Sequence, residues 1–163
     1  MLQRRMFHAL VCLPALGCAL AASAVAQSAT APIDALAAAV GNLGYETKMA
    51  ATGKSFTIAI RSSYNFTINF SYSNDGTLVW MSANVATYTQ EQLGQLNTMR
   101  LLEVSDPGPG YFALAKGAET DTLYAQRSLP AQGATPVLLR ATIENLTLLI
   151  TNNDTVWNKN LWK

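Results

Sequence analysis

From Tyr64 to Tyr72 the chain alternates without a break: Tyr64, Phe66, Ile68, Phe70 and Tyr72 fall on one side of an extended backbone, and Asn65, Thr67, Asn69 and Ser71 on the other. Successive strand residues point to opposite faces, so this pattern demands a sheet with one apolar and one polar face. A helix would mix the two sets at every turn. Such a strand cannot stand alone: its apolar face must be covered by other elements, and its polar face is left to water. The aromatic run also has the makings of a ligand platform, but with Ile68 in its midst it reads as core, and Trp80 reads the same way.

The flanking sequence supplies partners for this strand. Phe56, Ile58 and Ile60 alternate with Thr57, Ala59 and Arg61 after a tight turn at Thr52-Gly53, and a weaker strand is predicted over 45–50. Asn74-Asp75-Gly76 is a hairpin signal, because these residues tolerate positive φ, and it leads into a β-rich run from Leu78 to Val85. Four strands in antiparallel meander order follow from these signals. Two more, 111–116 and 122–128, form a second hairpin around a turn near Gly117.

Helical periodicity appears in three places. Ile33, Leu36, Val40 and Leu43 predict a helix over 33–43, with Pro32 at its first turn and Gly44 as a left-handed cap. Thr89 and Gln92 make a capping box for a helix over about 90–102, carrying Leu93, Leu96 and Met99, which ends before the breaker Asp106-Pro107-Gly108-Pro109-Gly110. Thr135 and Pro136 start the longest helix, whose stripe runs Leu139, Ile143, Leu146, Ile150 and Trp157. The poor helix formers Thr151-Asn152-Asn153-Asp154 interrupt it. The fold class is therefore α+β: an antiparallel β-sheet covered on one face by helices, in the order α-β-β-β-β-α-β-β-α.

Residues 1–26 have the build of a secretory signal: basic Arg4 and Arg5, an apolar stretch from Leu10 to Val25, and a small-residue end Ala24-Val25-Ala26. Arg4-Arg5-Met6-Phe7 partly resembles a twin-arginine signal, and Ala15-Leu16-Gly17-Cys18 a lipoprotein box with Ala15 where a larger aliphatic residue is expected. Cleavage after Ala26 would leave 137 of the 163 residues, with 27–31 a flexible lead and 32–163 a single α+β domain. The expected location is periplasmic or secreted, with no membrane attachment after cleavage.

Both cysteines, Cys12 and Cys18, and the only histidine, His8, belong to the leading segment. The remainder cannot be stapled by disulfides, and it lacks the residues for Ser-His-Asp, Cys-His or common zinc and haem chemistry. No catalytic residue, cofactor or metal is expected. Nine basic residues against ten acidic ones leave no basic patch for nucleic acid. The carboxylates lie singly at turns, caps and helix starts, Asn152-Asn153-Asp154 lacks the rest of a calcium loop, and Gly108-Pro109-Gly110 lacks the lysine of a phosphate loop.

The element order, Leu43-Gly44-Tyr45 after the first helix, Leu96-Asn97 late in the second and the long closing helix resemble the YbjN-type family of sensory-transduction regulators, over most of residues 32–157. That resemblance implies the fold of type III secretion chaperones and a dimer-capable sheet that holds extended segments of other proteins. Those chaperones are cytosolic and this chain carries an export signal, so the secretion role does not transfer. The expected function is a non-enzymatic protein-binding or chaperone-like module, acting through its sheet edge or its closing helix on a second copy or another polypeptide. Trp157 and Trp162, near Lys159 and Lys163, are expected to be partly exposed; with Leu146 and Ile150 of the closing helix they are the candidate binding residues. The rival classes are a carboxylate enzyme acting on a glycan and a structural envelope component. Mass spectrometry of the exported protein should find Gln27 as its first residue; a product that retains residues 1–26 would contradict the signal assignment.

Overall fold

The computed structural model describes residues 33–105 and 110–162, so the signal segment 1–26, the lead 27–31 and the breaker residues 106–109 lie outside the described residues. The alternation at 64–72 becomes the third strand of a six-stranded antiparallel sheet, in spatial order β1-β2-β3-β4-β6-β5. Its strands are β1 Thr47–Met49, β2 Ser55–Arg61, β3 Asn65–Tyr72, β4 Leu78–Thr89, β5 Tyr111–Ala115 and β6 Thr120–Pro130. The tight turns fall where the sequence places them, with Gly53 at φ 65° and Gly76 at φ 71°. The weak first strand shrinks from the expected 45–50 to three residues.

The core forms on one face. Phe56 and Phe70, opposite each other on β2 and β3, stack with ring centroids 4.6 Å apart, and Ile58, Ile68, Val79, Met81 and Leu123 are buried around them. Helix α1 (Ile33–Gly41) adds Leu36 and Val40, and helix α4 (Pro136–Thr151) adds Leu139, Ile143, Leu146 and Ile150. Thr135 caps α4 by accepting the Leu138 N–H, with Pro136 in the first turn as expected. Burying each such aliphatic side chain contributes about 1.5–3 kcal/mol. Trp80 is a correction: Val79, Met81 and Ala83 take the core positions of β4, which turns Trp80 to the opposite, helix-free face, across from Ser71 and Ser128.

Strand β4 runs to Thr89, beyond the expected end at Val85, because a bulge between Asn84 and Ala86 inserts one residue. Without it Tyr88 would share the outer parity of Trp80; with it Tyr88 turns inward and is fully buried. The helix expected over 90–102 is two helices, α2 (Gln90–Leu93) and α3 (Thr98–Val104). The Thr89 capping box starts the first. Gly94 ends it, and the Asn97 side chain accepts the Arg100 N–H to start the second. Leu96-Asn97 therefore lies in the break rather than late in a helix, and Leu101 is buried where Met99 was expected to be.

At the β5–β6 turn the buried Asp121 carboxylate accepts the Gly117 N–H at 3.2 Å and the Gln90 amide at 3.4 Å, tying the turn to α2. A Cβ on Gly117 would sit 2.3 Å from the Thr120 carbonyl oxygen, so only glycine fits there. The closing stripe breaks at Asn152-Asn153 and restarts as α5 (Asp154–Trp157), followed by a 3₁₀ turn at Lys159–Leu161. This C-terminal strap is latched to β4: the Tyr88 hydroxyl donates to the Trp157 carbonyl, and the Trp162 ring stacks on Tyr88 with centroids 5.5 Å apart.

Burial pushes the Tyr88 phenol well above the ordinary tyrosine range. Its stabilisation is then complete below the unfolded value of about 10 and is lost as pH rises towards the raised folded value. Tyr88→Phe removes the donor and leaves the Trp157 carbonyl unpaired, so it should cost about 1–3 kcal/mol in chemical denaturation and weaken the alkaline loss of stability. Unchanged stability would show that the strap is not held by this bond.

Candidate functional site

Strand β1 is too short to cover β2. Pairing runs Met49↔Phe56, Lys48↔Thr57 and Thr47↔Ile58, and stops there. The Ala50 N–H donates to the Ser55 carbonyl at 2.9 Å at one end, and the Ser62 N–H to the Tyr64 carbonyl at 3.4 Å at the other. In an antiparallel ladder the main chains of alternate residues serve alternate neighbours, so Ser55 and Thr57 face β1 while Phe56, Ile58 and Ile60 face β3. Ala59 and Arg61 continue the outward series past the end of β1. The register carries Ala59 opposite Glu46, the residue before β1, and Arg61 lies past that point, where no strand pairs with it among the described residues.

Helix α4 runs beside this edge, and a groove of about 450 Å³ opens between them. Tyr45, Ala59, Ile60, Arg61 and Ser62 line one side; Glu144, Thr147 and Leu148 line the other. Gly44, at φ 96°, turns the chain out of α1 towards Tyr45, and the Arg140 guanidinium donates to the Leu43 carbonyl at 3.3 Å, fastening that turn to α4. Burial raises the Tyr45 phenol above its ordinary range, the Glu144 charge adds to the rise and Arg140 opposes it. Leu148 is 50% exposed although Leu149 and Ile150 beside it are buried. It is an apolar wall facing solvent.

The charges at the groove are opposite and separate. The Arg100–Glu103 ion pair lies on the surface away from the groove, and neither Arg61 nor Glu144 has an ion pair among the described residues. Among the described residues Glu144 is the one carboxylate lining the groove, whereas acid–base chemistry on a glycan requires two within reach of one bond. Among the described residues no three or more His, Cys, Asp or Glu side chains gather at a metal-binding spacing.

The opposite edge of the sheet is managed differently. On β5 the outward Phe112 N–H donates to the Ser105 hydroxyl at 3.0 Å, and that hydroxyl donates to the Leu101 carbonyl at 2.6 Å. A side chain from the end of α3 thus occupies one outward donor of β5, that of Phe112. The β2 edge over Ala59–Arg61 has no such cover among the described residues.

The C-terminal candidates sit elsewhere. Leu146 and Ile150 are fully buried under α4 and belong to the core. Trp157 was expected to be partly exposed; it is only 6% exposed, because its indole N–H donates to the Ile150 carbonyl at 2.8 Å and its ring meets Tyr64 edge-on with centroids 4.9 Å apart. Tyr64 in turn donates to the Asp154 carboxylate at 2.7 Å, closing the joint. Trp162 is half-buried on Tyr88, its N–H donating to the Val156 carbonyl at 3.2 Å. The structure brings Ile150 and Trp157 together, but facing inward. The one sequence signal for the groove is Leu148, a leucine off the helical stripe.

No family model and no curated protein matches the chain. Among solved structures it is similar to YbjN from E. coli, a proposed transcription regulator, with a TM-score of 0.56 over 75% of this chain and 90% of that one at 14% identity. The chain has a YbjN-like fold. The resemblance read from the sequence thus holds at the level of fold. A second structure, the Yersinia pestis type III secretion chaperone SycH in complex with a fragment of YscM2, covers 72% of this chain and 92% of its own at 15% identity, with a TM-score of 0.41. A likeness that loose speaks to neither function nor partner. Within the YbjN-like sheet, Leu146→Ala should cost about 2–5 kcal/mol by opening a core cavity, while Leu148→Ala should change stability by about 0.5 kcal/mol or less. Equal costs in thermal or denaturant unfolding would mean that Leu148 is packed and the groove closed.

Proposed function

We propose that this protein is an exported, non-enzymatic polypeptide-binding module that takes up an extended segment as an added strand on the open edge of β2. The observation that carries the reading is the coincidence of a sheet edge that runs past the end of β1 at Ala59–Arg61 with a groove walled by α4. Strand addition of this kind draws affinity from main-chain hydrogen bonds and selectivity from pockets for alternate side chains. Tyr45, Ile60 and Leu148 offer an apolar seat for one side chain, and Arg61 and Glu144 flank it with opposite charges. Delivery to the periplasm or outside the cell rests on the build of residues 1–26.

Magnitudes suit transient holding. An open edge about 10–13 Å long admits only a short strand. Its few hydrogen bonds contribute about 0.5–1.5 kcal/mol each and one seated aliphatic side chain about 1.5–3 kcal/mol, against several kcal/mol lost on association. An affinity near millimolar is the outcome. A second copy of the chain, pairing β2 to β2, competes for the same edge.

Ala59→Pro deletes an outward N–H on an edge strand, where proline is tolerated, and so separates binding from folding. With reduced, carboxymethylated α-lactalbumin as an unfolded probe, anisotropy should show binding by the native chain and at least a tenfold loss in Ala59→Pro, with cooperative unfolding retained. Equal binding by the folded variant would rule the edge out.

A further inference from the structure

The polar face of the sheet carries no helix among the described residues and has a composition that solvation alone does not require. On β3 it presents Asn65, Thr67, Asn69 and Ser71; on β4 Trp80, Ser82 and Asn84. Tyr124, Gln126 and Ser128 on β6, and Tyr111 on β5, complete it. Across the outward positions of β3, β4, β5 and β6 there is no Asp, Glu, Lys or Arg; the cations of this face, Lys48 and Arg61, stand on β1 and β2. Exposed faces are ordinarily rich in those four residue types. Here amides, hydroxyls and three aromatic rings replace them.

The registers fix how these groups lie. Trp80 stands between Ser71 and Ser128, Ser82 between Asn69 and Gln126, and Asn84 beside Tyr124, with Tyr111 beyond Gln126. Neighbouring strands are about 4.8 Å apart and same-face residues about 6.8 Å along each strand, so Trp80 and Tyr124 are separated by about 14 Å of hydroxyl- and amide-bearing surface. Ser, Asn and Gln each offer both donors and acceptors without charge, and a partly exposed indole or phenol ring offers a flat apolar surface with a polar tip.

We propose that this face, distinct from the β2 edge, is a binding platform for an uncharged glycan chain laid across β4 and β6, with Trp80 and Tyr124 stacking on sugar rings and Ser82, Asn84 and Gln126 hydrogen-bonding their hydroxyls. The chemistry selects among polymers. With no cation on the central strands, an anionic polymer such as nucleic acid or heparin finds no counter-charge. Protein interfaces centre on apolar anchors, and the outward aliphatic Leu78 stands only at the end of β4, opposite Pro130, outside the Trp80–Tyr124 stretch. An uncharged polyhydroxyl chain matches what is present.

The test titrates the full chain with chitohexaose, cellohexaose and maltohexaose, using tryptophan fluorescence and calorimetry, with a heparin hexasaccharide as the charged comparator. At least one neutral hexasaccharide should bind and heparin should not. Trp80→Ala should weaken binding at least tenfold with an unchanged unfolding midpoint, and Asn84→Ala should weaken it too, which keeps the test alive if Trp80→Ala misfolds. Ala59→Pro should bind the glycan like the native chain, so failure of the edge mechanism leaves this result standing. Absence of binding at millimolar sugar, equal binding by folded Trp80→Ala and Asn84→Ala, preference for heparin, or displacement of the sugar by carboxymethylated α-lactalbumin would each overturn the proposal.

Discussion

Leu139, Ile143, Leu146 and Ile150 form one face of α4 and are buried to the last few per cent against the sheet. No cysteine follows Cys18, so nothing covalent can substitute for that seam. At about 1.5–3 kcal/mol each, these four side chains together match the entire net stability of a small domain. The seam also sets the geometry of the rest. It commits α4 to one face of the sheet, leaves the other face bare, and lays Glu144, Thr147 and Leu148 along the side of the helix that overlooks β2.

The alternation at 64–72 and the turn residues around Gly53 and Gly76 were enough to predict the meander, because strand period and positive φ are local properties. The capped start of α4 and its stripe were local too. What escaped was non-local or a matter of a single residue. The bulge at Asn84/Ala86 inverts the parity of Tyr88 and is visible only once β6 is paired beside it. Trp80 was assigned to the core on residue type, whereas Val79 and Met81 claimed the core positions by phase. A position near the chain end suggests exposure for Trp157, but the restart at Asp154 folds it back under Tyr64.

The candidate site was less readable still. Nothing in the composition of β1 shows that its pairing ends at Thr47, and the open edge is made by that shortfall. The expectation of binding through a sheet edge does not choose between β5 and β2. At β5 the Ser105 hydroxyl occupies the outward N–H of Phe112. The two sides of the molecule divide accordingly: a main-chain edge with a small apolar seat on one, a neutral field of amides and hydroxyls on the other.

Residue-resolved hydrogen exchange tests the open edge most directly. In the free protein the Arg61 amide should exchange fast, while those of Ile58 and Ile60, which face β3, are protected. Addition of an unfolded polypeptide should slow Arg61 by a factor of about ten or more and leave Phe112 unchanged. Protection of Arg61 already present in the dilute free chain, or exchange unmoved by saturating polypeptide, would contradict the open edge.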